Sequence, residues 1–176
     1  MASTNWVLDP SHSELQFKVK HLMISTVTGS FNTFDVKVST EGDDFSQANI
    51  SFEGDISSVD TGNQDRDKHL ISADFFDAEK YPKLSFQSTE VEKDGSDYLI
   101  KGNLTIRDVT KSVKLNAEFG GIATDPWGNV KAGFTLSGKI NRTDYGLTYN
   151  SVLETGGVMV GEEVKILGEI QLAKQA

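Results

Sequence analysis

Residues 97–106 read Asp97-Tyr98-Leu99-Ile100-Lys101-Gly102-Asn103-Leu104-Thr105-Ile106. Tyr98, Ile100, Leu104 and Ile106 recur at a spacing of two, and Lys101, Asn103 and Thr105 take the opposite phase, the signature of a half-buried β-strand. The odd member of the apolar face is Gly102. Glycine inside a strand gives up packing and marks a bend or a close approach. The same substitution recurs on the inward phase of four other strands, at Gly29, Gly54, Gly138 and Gly168. A solid core places Val, Ile or Leu at such positions. A sheet that closes on itself with inward glycines is expected to keep space along its axis.

Working outward, the alternation defines eight long strands. The first turns Leu15, Phe17, Val19 and His21 to one face. The second carries Val27, Gly29 and Phe31 in one phase and Phe34, Val36 and Val38 in the other, so a β-bulge is expected at Asn32-Thr33. The third turns Ala48, Ile50, Phe52, Gly54 and Ile56 inward. The fourth offers Leu84 and Phe86, then Val91 after a further slip. Asp94-Gly95 is a hairpin signal leading into the strand quoted above. Val113, Leu115, Ala117 and Phe119 form the sixth strand. Asp125-Pro126-Trp127-Gly128 turns into the seventh, with Phe134, Leu136, Gly138 and Ile140 inward. Val164, Ile166, Gly168, Ile170 and Leu172 form the eighth.

One stretch breaks the period of two. Residues 64–80 have helical spacing, with His69, Leu70 and Ala73 on one face, and Tyr81-Pro82 ends the segment. The expected fold is all-β: an eight-stranded antiparallel up-and-down barrel, with one helical insert between strands 3 and 4. A barrel of this size either fills with side chains or holds one small ligand. Strands of this length make it about 25–30 Å tall. The cargo suited to a deep apolar tube is long, thin and apolar.

The chain has 176 residues, enough for one domain with a sizeable core. Its net charge of −9 argues against a nucleic-acid partner, which calls for a Lys/Arg-rich face. The absence of cysteine removes thiolate catalysis, disulfides and Cys-held metals. The opening Met-Ala-Ser-Thr-Asn-Trp lacks a basic region followed by an apolar run. The expectation is a cytoplasmic protein as the chain stands, or a periplasmic or secreted one where a leader has been trimmed.

Several stretches together resemble the YceI-like family of lipocalin-like, polyisoprenoid-binding proteins. They include Asp9-Pro10-Ser11-His12-Ser13, Lys18-Val19-Lys20-His21, Arg66-Asp67-Lys68-His69-Leu70 and Asp74-Phe75-Phe76-Asp77. They continue with Tyr81-Pro82-Lys83-Leu84-Ser85-Phe86, Leu104-Thr105-Ile106-Arg107-Asp108 and Arg142-Thr143-Asp144-Tyr145-Gly146. The family usually has Gly where this chain has Asp108, one turn residue for another. The resemblance implies a lipid tail in the barrel lumen, no established catalysis, no cofactor beyond the bound isoprenoid, and often a homodimer. Many members of the family carry an export signal.

The candidate ligand wall comprises Phe17, Val19, His21, Gly29, Phe31, Phe52, Gly54, His69, Leu70, Phe75, Phe76, Phe86, Gly102, Leu104, Phe119, Phe134, Gly138 and Arg142. The bland alternative is that these aromatics form a dry core. His12, His21 and His69 invite a zinc reading, but no helical His pair or zincin spacing is present, and no metal is expected. Asp60, Asn63, Asp65 and Asp67 lack the spacing, Gly and terminal Glu of a calcium loop. Arg142 continues the inward phase of the seventh strand. It is expected to hold a pyrophosphate or quinone head group through its planar fork; the alternative is an Arg–Asp lock, with Arg142 or Arg66 pairing with Asp67 or Asp144 to close the barrel end. The leading reading is sequestration or carriage of a polyprenyl phosphate or isoprenoid quinone. The alternatives are an enzyme acting on a bound lipid, with His21 or His69 as acid–base group, and a filled barrel with a structural or stress role.

Overall fold

A computed structural model describes residues 3–22, 24–150 and 160–175. Its strands are β1 (Ser3–Leu8), β2 (Glu14–His21), β3 (Ser25–Phe31), β4 (Phe34–Glu41), β5 (Asp44–Asp55), β6 (Val59–Asp60), β7 (Lys83–Asp94), β8 (Asp97–Ile106), β9 (Val109–Thr124), β10 (Val130–Asn141) and β11 (Val160–Lys174). Among the described residues one α-helix, α1 (Gln64–Ile71), lies between β6 and β7. Eight of the strands form a closed antiparallel ring in the order β1-β4-β5-β7-β8-β9-β10-β11, with β11 pairing back onto β1. Strands β2, β3 and β6 extend this wall from β11.

The barrel's first two strands are each broken. β1 and β2 form one path interrupted at residues 9–13, and both lie along β11: Leu8 pairs with Leu172 and Leu15 with Gly168. β3 and β4 form the next path. The phase slip at Asn32-Thr33 is a break between two strands, not a bulge within one. β3 pairs with β2 and β6, and β4 with β1 and β5. The slip after Phe86 is a bulge: Ser88 faces Gly102 and Glu90 faces Lys101, leaving Thr89 as the extra residue. A second bulge, at Gly120, brings Phe134 opposite Phe119.

Strand β1 lies outside the eight strands read from the alternation, yet it brings in Trp6, which is fully buried. The indole Nε1 donates to Thr40 Oγ1 at 2.9 Å. Trp6 starts a ring cluster at the end of the barrel where β1 begins, here called the lower end. Phe45 sits 5.0 Å from Trp6 and 4.9 Å from Phe134, and Phe119 lies 5.2 Å from Phe134. Helix α1 covers the upper end. Asn63 caps it by accepting from the backbone N–H of Asp65 and Arg66. The helix stops at Ile71, well short of residue 80. Ser72 turns extended and its Oγ donates to the His69 carbonyl. Irregular turns follow, with Phe76 N–H donating to the Leu70 carbonyl.

The corner between β1 and β2 is a polar latch. Asp9 accepts from Lys131 Nζ at 2.7 Å, from Ser11 Oγ at 2.8 Å and from its N–H at 3.2 Å, and lies 2.9 Å from His12 Nδ1. Its N–H donates to the Gln171 carbonyl, tying the corner to β11. The Lys131 bond, then His12 and Ser11, hold the carboxyl well below the usual carboxylate range. A lowered folded pKa stabilises the fold fully above about pH 4, the unfolded range of an Asp, and that gain is lost as pH falls. Asp9→Asn is therefore expected to cost about 1–3 kcal/mol at neutral pH. It should also flatten the acid limb of a stability–pH curve measured by urea unfolding. An unchanged acid limb would contradict the latch.

Candidate functional site

An apolar cavity of about 230 Å³ runs along the barrel axis. Of its described lining side chains only Gln16, Tyr98 and Arg142 carry a polar atom. Phe17, Val19, Phe31, Phe52, Leu70, Phe75, Phe76, Phe86, Leu104, Phe134 and Arg142, all candidate wall residues, line it. So do residues outside the candidate set, among them Phe45, Tyr98, Leu136 and Leu147. Tyr98 and Leu136 follow the inward alternation and were within reach of sequence reasoning. Phe45 was not. β5 bulges at Gln47, whose φ is +61°, so Phe45 and Ala48 share the inward face three residues apart.

The five inward glycines do not open into this cavity, which corrects the expectation that they would supply its space directly. Gly29 lies directly opposite Phe17 on the neighbouring strand, and the Phe17 ring covers it so closely that a Cβ would collide. The Phe86 ring covers Gly102, whose Cβ would also sit 2.5 Å from the Gln87 carbonyl oxygen at the Thr89 bulge. Phe52 covers Gly54, Leu115 covers Gly138, and Leu136 abuts Gly168. Each glycine gives a bulky neighbour room to lie against the wall. The glycines therefore shape the lumen through the side chains they seat, one step removed from the glycine itself.

The other exceptions have equally local causes. Phe119 belongs to the lower ring cluster, behind Phe45 and Phe134. His21 ends β2, paired with Ser25 and Val160, and does not line the lumen. His69 turns away from it. Its Nε2 lies 2.9 Å from Asp74 Oδ2, and its ring meets Phe75 and Tyr149 edge-on at 5.1 and 4.7 Å. His12 is held in the Asp9 latch. Among the described residues no three His, Asp or Glu side chains gather where a metal would sit. Arg66 Nε and Nη2 donate to Thr61 Oγ1 and its carbonyl, and Asp67 accepts from Thr61. These contacts fix the start of α1.

Arg142 takes neither of its expected roles cleanly. It is buried, and its guanidinium donates to four carbonyls: Gly161 at 2.8 Å, Leu147 at 2.6 Å, Tyr149 at 3.0 Å and Val160 at 3.2 Å. Its carbon centre stands 6.0 Å from the Phe75 ring. Among the described residues no carboxylate lies within ion-pair distance, so there is no lock to Asp67 or Asp144. Burial pulls its pKa below the usual arginine value, opposed by the nearby Glu162 charge. Carbonyl dipoles satisfy the fork that a head group would need, and they tie residues 147–149 to the start of β11.

Comparison with known proteins places this geometry. The sequence pattern of the YceI-like domain matches residues 6–172, nearly the whole ring. The chain belongs to the YceI-like family. The UPF0312 protein of Staphylococcus aureus strain MSSA476 is 42% identical over 163 residues, covering 92% of this chain and 93% of its own. The Campylobacter jejuni YCEI protein structure superposes with a TM-score of 0.75 at 35% identity, covering 96% of this chain and 97% of that one. A polyisoprenoid binding domain from Saccharophagus degradans shares the fold, with a TM-score of 0.68 at 17% identity over 97% of this chain and 98% of that one.

Two expectations follow for this YceI-like barrel. Gly102→Ala should cost about 1–3 kcal/mol, because backbone must yield, and Gly138→Ala less, because the Leu115 side chain can turn aside. Denaturant midpoints of the two variants check the order. Arg142→Met should lose on the order of 3 kcal/mol, since four carbonyls lose a charged donor together. A melt indistinguishable from wild type would refute the anchoring role.

Proposed function

We propose that this protein binds a long isoprenoid lipid and sequesters or carries it. The observation that carries the reading is the lumen itself: apolar along its length, floored by a ring cluster, and faced, among the described residues, by no carboxylate, imidazole, hydroxymethyl or ammonium group. Binding is then desolvation, at about 0.8 kcal/mol per buried CH₂. The polyisoprenoid-binding relative of the same fold supports the choice of ligand. The volume of about 230 Å³ falls just under the roughly 300–1,000 Å³ usual for ligand sites. A long tail therefore enters by swinging the partly buried rings of Phe17, Phe52 and Phe76 off their resting places.

The same lining argues against turnover. His21 and His69, the acid–base candidates, stand outside the lumen, and Tyr98 is pushed above its usual pKa by burial. Organic extraction of the purified protein followed by mass spectrometry tests the reading. A prenyl lipid near one per chain is the expected result, and a chemically altered lipid would revive the enzyme. Finding no lipid, together with no binding of added prenols, would leave a filled structural barrel. Ile100→Trp, which fills the lumen from one wall, should abolish prenol binding while costing about 1–3 kcal/mol of stability. Unchanged affinity in that variant would move the ligand out of the lumen.

A further inference from the structure

The wall of the barrel has an incomplete seam. Pairing between β9 and β10 stops at Leu115 and Gly138. β9 nevertheless stays paired with β8 as far as Val109, and β10 with β11 as far as Asn141. A surface cavity of about 630 Å³ occupies the gap. Val113 and Ile140 line both this cavity and the lumen, so one layer of side chains separates the two. Tyr145, fully buried, also lines the outer cavity, and its hydroxyl has no hydrogen-bond partner. A buried, unpaired hydroxyl is costly and asks for an acceptor.

The seam is also basic, in a chain of net charge −9. Among the described residues, Lys101, Lys111, Lys114 and Lys139 line it against one carboxylate, Asp144. Lys101 stands directly opposite Lys114, and Lys139 directly opposite Lys165. Like charges paired across strands cost stability. Glu90 and Glu92 answer Lys101, and Glu163 answers Lys139 at 3.9 Å. Among the described residues Lys111 and Lys114 have no carboxylate within ion-pair distance. Arg142 is occupied by carbonyls, so the cations open to an anion lie outside the wall.

We propose that the β9–β10 seam binds the phosphoryl head group of a prenyl phosphate or diphosphate, held by Lys111 and Lys114, with its chain passing between Val113 and Ile140 into the lumen. The proposal rests on the lumen reading above. Ammonium groups on flexible stems suit a phosphoryl group of variable position.

The test is calorimetric titration of the wild type and of the K111Q/K114Q variant with farnesyl diphosphate, farnesol and inorganic pyrophosphate. Farnesyl diphosphate is expected to bind more tightly than either fragment. The double variant should weaken it at least tenfold and leave farnesol unchanged. Equal effects on both prenyl probes, or none on either, would overturn the head-group site. Pyrophosphate binding as tightly as farnesyl diphosphate, with the same lysine dependence, would make this a free-phosphate site and overturn the lipid assignment. Lysine-dependent pyrophosphate binding with no binding of either prenyl probe would instead sink the lumen reading. Should the double variant fail to fold, the wild type gives the answer. Raising salt from about 50 to about 500 mM should weaken farnesyl diphosphate and spare farnesol, and equal salt dependence of the two would overturn the site.

Discussion

Three residue pairs turn a sheet into a vessel. Trp6, Val7 and Leu8 pair with Lys174, Ala173 and Leu172, and through them the last strand meets the first. Without that short ladder the molecule is an open sheet with two bare edges and no inside. β11 has to serve two partners along one side, β1 at the lower end and β2 above it. The corner between them is where Asp9 gathers Lys131, Ser11 and His12. The closing strand is also structural ballast, since Trp6 is its innermost residue and anchors the lower rings.

The fold was legible wherever one residue's phase predicted the next. Alternation from Leu15 to His21, Tyr98 to Ile106 and Val130 to Ile140 is enough to specify strands with one buried face. It failed where an extra residue resets the phase, because a period of two carries no memory across a bulge. Gln47 hid Phe45 in this way. β1 was missed for a different reason: Trp6 and Leu8 are too short a run to register as alternation before Asp9-Pro10 ends it.

The site was legible in its composition and less so in its geometry. Phe17, Phe31, Phe86 and Leu104 reach the lumen because strand phase alone decides that. The glycines are seats for neighbouring Phe rings and Leu side chains and not vacancies, a relation that depends on register between strands distant in sequence. Arg142 illustrates the same limit. Its phase pointed inward correctly, but its partners are carbonyls of residues 147, 149, 160 and 161, and main-chain partners leave no trace in side-chain identity.

The ring cluster around Trp6, Phe45, Phe119 and Phe134 has a kinetic meaning. With the lower end occupied by packed rings, a chain lodged above them must leave by the half through which it came. Withdrawal re-exposes it one methylene at a time. At about 0.8 kcal/mol for each, escape slows roughly fourfold per CH₂, while the rate of encounter changes little with chain length. On the lipid-binding reading proposed above, a blind-ended barrel of this kind turns tail length into residence time, with short tails exchanging freely and long ones held.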